Sequence, residues 1–129
     1  AIRSSKRTMD LAARYGGDEF VIIYPACDLA QAATTIDRLR TRIAAKRILV
    51  EDTEVSIQVS IGVAEATNDD TVDSLISRAD QALYAAKRAG RNQSFQHNGT
   101  TCELVETTAA ELPADNIPPR PIVNLSNQN

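Results

Sequence analysis

The sequence is 129 residues long, 43% hydrophobic and 24% charged, a globular composition of about one domain's length that excludes wholesale disorder. Lysine and arginine balance aspartate and glutamate over residues 1–97, so the net charge of -3 belongs to 98–129, where Arg120 stands against Glu103, Glu106, Glu111 and Asp115. A body without basic excess argues against a nucleic-acid binder, and no apolar run approaches the roughly 20 residues of a membrane span. Cys27 and Cys102 are too few for a disulfide scaffold or a four-cysteine zinc site, which points to a reducing, cytoplasmic setting. The first residue is Ala1 rather than Met, so the expectation is a piece of something longer.

Residues 11–24 read as a hairpin: LAARY, a turn at Gly16-Gly17, then FVIIY as a continuous apolar run expected to form a fully buried strand ended by Pro25. Asp28 is placed to cap a helix over about 29–46, whose apolar stripe is Leu29, Ala32, Ala33, Ile36, Leu39, Ile43 and Ala44. Five apolar positions from Val55 to Val63 alternate with smaller or polar ones, which predicts one continuous strand. A second helix follows from Val72, capped by Thr71, with the stripe Val72, Leu75, Ile76, Ala79, Ala82, Leu83 and Ala86 and a C-terminal glycine at Gly90. Short strands are expected over 92–97 and near 102–105. The fold class is α+β, a mixed β-sheet flanked by helices. Residues 98–129 hold Pro113, Pro118, Pro119 and Pro121 among polar residues and read as a flexible acidic tail.

Three clusters carry chemical options. Gly16-Gly17-Asp18-Glu19 sets two carboxylates beside two residues without side chains, where a nucleotide can approach the backbone and a carboxylate can hold Mg²⁺. A solvated hairpin turn accounts for the same four residues. Lys87 and Arg91, at the end of the second helix, either complement the helix dipole or hold phosphates. Arg7 and Asp10 form either a surface ion pair or a fork of donors and an acceptor for a guanine edge or phosphate. His97 has no partner at ligand spacing and reads as a surface histidine.

R-Y-G-G-D-E-F at 14–20, V-S-I-G-V-A at 59–64 and A-D-Q-A-L-Y-A-A-K-R-A-G-R-N at 79–92 closely resemble the GGDEF family of diguanylate cyclases, in family order and spacing. The resemblance covers residues 1–97 and implies a nucleotide-cyclase palm-like fold. It implies an enzyme that condenses two GTP into cyclic di-GMP, each 3′-hydroxyl attacking the partner's α-phosphate and expelling pyrophosphate. By that resemblance Asp18 is the metal-ligating catalytic carboxylate for Mg²⁺ or Mn²⁺, with Glu19 beside it. Gly16 and Gly17 admit the nucleotide, and Lys87 and Arg91 hold its triphosphate. Arg7 and Asp10 match the family's R-x-x-D product-inhibition motif, with Arg38, on the exposed face of the first helix, as a second arginine.

The partners implied are GTP, cyclic di-GMP as product and inhibitor, and a second subunit for catalysis, with no nucleic acid and no membrane contact from this segment. A complete family domain carries a further half before the glycine pair, including a central strand with another metal-binding aspartate. Its lack leads to the expectation of an inactive fragment that pairs through exposed strand edges. The alternative is a catalytically inactive cyclic di-GMP receptor or interaction module.

Overall fold

The computed structural model describes residues 10–106. A left-handed backbone at Gly17, φ +49°, turns strand β1 (Leu11–Gly16) into antiparallel β2 (Glu19–Ile23). Arg14 Nε donates to the Gly17 carbonyl at 2.8 Å and braces the turn. Gly16 is not among the left-handed residues, so one glycine of the pair serves the turn and the other does not.

Helix α1 (Leu29–Ala45) begins in a capping box: Asp28 Oδ1 accepts from the Gln31 amide at 2.8 Å, and Gln31 Oε1 accepts from the Asp28 amide at 3.4 Å. Strands β3 (Arg47–Val50) and β4 (Thr53–Ser56) form a second hairpin. Its turn residues, Glu51 and Asp52, both take positive φ, at 48° and 65°. Sequence reasoning missed β3 because that turn lacks the Gly or Asn that such geometry favours.

The single strand expected from Val55 to Val63 is a correction. It is two strands, β4 and β5 (Ile61–Ala64), with 57–60 in neither. The alternation is real, but the two ends have different partners. β4 pairs with β3, whereas β5 pairs in parallel with β6 (Ser94–His97), so one ladder cannot hold both. Strand β7 (Cys102–Leu104) adds antiparallel to β6, giving a mixed three-stranded sheet that reaches past residue 97.

Helix α2 (Val72–Arg88) connects β5 to β6 as a βαβ unit. Thr71 and Ser74 make the reciprocal bonds of its N-terminal capping box. Its end is a Schellman motif around Gly90, φ +118°, with the Arg91 amide on the Ala86 carbonyl at 3.0 Å and the Gly90 amide on that of Lys87 at 3.4 Å.

The core gathers Ile36, Leu39 and Ile43 of α1 around Val59, with Phe20, Ile22, Tyr24, Ile57, Ile61 and Val63 packed against them. Ala82 and Ala86 of α2 are fully buried, whereas Val72, counted in the predicted stripe, is exposed in the first turn. β2 is not the fully buried strand expected from its apolar run. Its residues are half-buried and Ile23 is exposed, because the hairpin pairs only with itself among the described residues. His97 is a third correction: it is buried, and its Nδ1 accepts from the Gly99 amide at 3.0 Å. The strand reading of 92–97 already placed it in a sheet, and β7 beside it supplies the cover.

Among the described glycines, Gly62 of β5 has the closest neighbours. A Cβ there would lie inside the van der Waals envelopes of the Ala79 carbonyl oxygen and the Leu83 amide nitrogen. Both are helix backbone, so relief requires moving α2 bodily. Gly62→Ala is therefore expected to destabilise the fold by about 3 kcal/mol, the upper end for overpacking. Denaturant unfolding of the variant checks this; a loss within experimental error of wild type would show that α2 does not sit this close.

Candidate functional site at the hairpin tip and the end of helix α2

The β1–β2 turn carries Asp18, and Glu19 opens β2; both are half-buried. Neither forms a side-chain hydrogen bond or ion pair among the described residues. A Cβ on Gly16 or Gly17 would meet nothing within 4 Å, so the space over the tip is open to a ligand. Oxygen donors in that setting suit a hard divalent ion, which takes one or two carboxylates and completes its shell from substrate phosphates and water. Among the described residues no three His, Cys, Asp or Glu side chains gather as a metal cage. The tip thus fits a metal as one ligand point.

At the C-terminal end of α2, the Schellman turn takes the chain off the helix axis after Arg88. Arg91 follows Gly90 with φ +63°, so Lys87 and Arg91 do not share a helix face: the C-terminal glycine between them breaks the register, as expected of it. Both are half-buried. Arg91 Nε is buried and has no hydrogen-bond partner among the described residues. An orphaned guanidinium donor is costly unless something else accepts from it, and phosphate oxygen is a natural acceptor. No hydrogen bond or ion pair joins Asp18 or Glu19 to Lys87 or Arg91.

Of the third cluster, Asp10 is buried, and Arg7 lies outside the described residues. Arg38 is half-buried rather than on an exposed face, because neighbouring side chains of α1 flank it. It lines a shallow depression of about 350 Å³ with Ala30, Gln31, Thr34 and Thr35. Its Nε, too, is buried without a partner among the described residues.

Two charged networks escaped sequence reasoning. Asp37, buried within the stripe of α1, is held by Arg40, whose Nε donates to Oδ1 at 2.6 Å. The signal was present as an Asp and an Arg three apart on a helix, but a carboxylate inside an apolar stripe reads as solvated. The other pairs Arg78 of α2 with Asp70 just before the helix, and Arg78 also donates to the Glu65 carbonyl at 2.8 Å. Asp70 further accepts from the Ser74 hydroxyl at 2.7 Å and the Thr67 amide at 2.8 Å. The Ser74 hydroxyl foremost, then the Thr67 amide, hold its carboxyl well below the usual carboxylate range against the opposing effect of burial, with Arg78 adding to the depression.

Residues 1–93 match the family described as "Diguanylate cyclase, GGDEF domain". Diguanylate cyclase A of Treponema denticola is 36% identical over 93 residues, covering 71% of this chain and 25% of that protein. Diguanylate cyclase DgcP of Pseudomonas aeruginosa is 39% identical over 92 residues, covering 71% of this chain and 14% of that protein. The crystal structure of the GGDEF domain of DgcB from Caulobacter crescentus in complex with c-di-GMP superposes with a TM-score of 0.72 at 34% identity, covering 76% of this chain and 59% of that one. Diguanylate cyclase SiaD of Pseudomonas aeruginosa, solved with its activator SiaC, gives a TM-score of 0.70 at 33% identity over 74% of this chain and 37% of that one. The chain belongs to the GGDEF family of diguanylate cyclases. It spans a quarter or less of the two curated relatives and about three fifths of the DgcB domain.

The Asp70 cluster generates a pH signature. A carboxyl depressed in the folded state contributes stability that is fully present above its unfolded value and is lost as the pH falls through its folded one. Asp70→Asn is thus expected to be less stable than wild type at neutral pH. The gap should narrow as the pH drops below the usual carboxylate range, and thermal melts across that range measure it; a gap independent of pH would contradict the assignment.

Proposed function

We propose that this chain is the C-terminal catalytic part of a diguanylate cyclase that makes cyclic di-GMP from two GTP molecules, under feedback from its product. The observation that carries the reading is the hairpin tip. Asp37 and Asp70 are locked by arginine, yet Asp18 and Glu19 sit half-buried beside open space with no side chain engaging them. Carboxylates kept in that state suit a ligand that arrives with its own cations and phosphates.

In this reading Asp18 holds a divalent ion, Mg²⁺ or Mn²⁺, with Glu19 beside it. Such an ion activates a 3′-hydroxyl and neutralises charge on the leaving pyrophosphate. Gly16 and Gly17 leave room for the nucleotide backbone to approach, as the open space over both supports. Lys87 and Arg91 bind the triphosphate, and the orphaned Arg91 Nε supports that assignment. Two GTP are consumed per product, so two subunits face each other, each presenting one nucleotide. One ligand point at the tip does not complete a two-ion site, which is why the isolated chain is inactive and the rest of the domain is needed.

Product feedback uses Asp10 and Arg38 with Arg7. The buried Arg38 Nε without a partner supports this, because a guanine edge or phosphate supplies the missing acceptor. The complex of the DgcB domain with c-di-GMP shows that a similar fold accepts that ligand. No helix among the described residues is long and apolar enough to cross a membrane, and the body acts in the cytoplasm, where GTP is found.

In the intact protein, Asp18→Asn is expected to lower cyclic di-GMP synthesis at least about a hundredfold, more than the loss of a group that merely supports a metal ligand. Arg38→Ala should keep synthesis and weaken inhibition by added cyclic di-GMP. Synthesis undiminished in Asp18→Asn overturns the catalytic assignment. A wild-type protein that binds cyclic di-GMP but makes none is a receptor instead.

A further inference from the structure

The Asp37–Arg40 pair reaches further than α1. Arg40 spends two of its nitrogens on Asp37, Nε to Oδ1 at 2.6 Å and Nη2 to Oδ2 at 3.4 Å. Its remaining Nη1 crosses to the loop after α2 and donates to the Asn92 carbonyl at 3.0 Å and to Asn92 Oδ1 at 3.2 Å. Asp37 is 5% exposed at its side chain and Arg40 19%, so the bridge is largely shielded from water.

That loop is an unusual place for a single arginine to grip. Arg91 and Asn92 occupy the left-handed region in succession, φ +63° and +50°, directly after Gly90. Asparagine tolerates this conformation, but arginine adopts it against its preference, so the surroundings must hold it there. The Arg91 amide is tied back to the Ala86 carbonyl at 3.0 Å, and the Gln93 carbonyl accepts from the Ile61 amide at 3.0 Å. Between those two anchors, Arg40 holds Asn92 by both of its oxygens. The residue so fixed is the neighbour of Arg91, whose buried Nε awaits an acceptor.

We propose that Arg40, oriented by Asp37, is a positioning residue for the nucleotide site: it clamps Asn92 and thereby sets the left-handed turn that aims Arg91 at the polyphosphate. Arginine is required because one planar fork serves both partners; a lysine at this position reaches one of them at a time. The proposal rests on the reading of Arg91 as a phosphate ligand.

The test measures binding rather than turnover, in the intact protein, with 3′-deoxy-GTP, which lacks the attacking hydroxyl. Arg40→Ala alone leaves the buried Asp37 without its arginine, so the double variant Asp37→Asn/Arg40→Gln, which removes both charges together, is compared alongside it. Each is measured with Arg91 intact and in the Arg91→Ala background. Expected is a loss of affinity of about tenfold with Arg91 present and almost none without it, the coupling of groups that act through one network. A purely structural role would cost the same in both backgrounds, and that result, or no loss in the first, overturns the proposal. If Arg91→Ala itself leaves affinity unchanged, the phosphate assignment falls, and the positioning role falls with it. The two failures are therefore distinguishable.

Discussion

The architecture depends on how closely α2 lies on β5. At Gly62 the helix backbone comes within a distance that only a residue without a side chain permits, and the fully buried Ala82 and Ala86 keep the facing surface of α2 small. A helix held this near its sheet has little freedom to slide or roll. Its first turn is pinned by the Asp70–Arg78 cluster, and its last by the Schellman turn at Gly90. The place of Lys87 at the end of α2 follows in part from these constraints, among them a glycine on a neighbouring strand.

Charge is distributed by the same logic. The described part of the chain locks some ionic groups into dense networks and leaves others without partners. Asp37 has an arginine, and Asp70 has an arginine and further donors. Asp18 and Glu19 have no such partner, and the buried Nε atoms of Arg38 and Arg91 have no acceptor. Buried donors without acceptors are uncommon in native folds, and under the proposed function the two on arginines receive an anion. The exposed Leu11, Tyr15 and Ile23 of the first hairpin belong to the same picture: that hairpin pairs with no third strand among the described residues.

Much of this was legible because local chemistry and tertiary context agree. Asp28, Thr71 and Gly90 cap the helices they were expected to cap, and the stripe from Ala33 to Ile43 is the core-facing side of α1. Legibility ended where tertiary partners decide. The alternation from Val55 to Val63 is blind to a change of pairing partner at 57–60. The apolar run of β2 shows what the strand is able to bury, whereas its exposure depends on what lies against it. The αL turn at Glu51-Asp52 and the clamp from Arg40 to Asn92 left no local mark, the latter because its partners are 52 residues apart. For the site, the motifs set Asp18 at a hairpin turn and Lys87 and Arg91 at the end of a helix, and the fold places them there. The C-terminal glycine at Gly90 already marked a break in the helical register between the last two, and the left-handed turn bears that out.

The central claim is that the hairpin tip and the end of α2 belong to a nucleotide site that needs the rest of its domain to react. Supplying the intact protein and the isolated 129-residue chain with GTP and Mg²⁺, and identifying the products by mass, tests it most directly. The account predicts cyclic di-GMP with two pyrophosphates per product from the intact protein and none from the chain alone. An intact protein that releases GDP and phosphate, or an isolated chain that makes cyclic di-GMP, would contradict it.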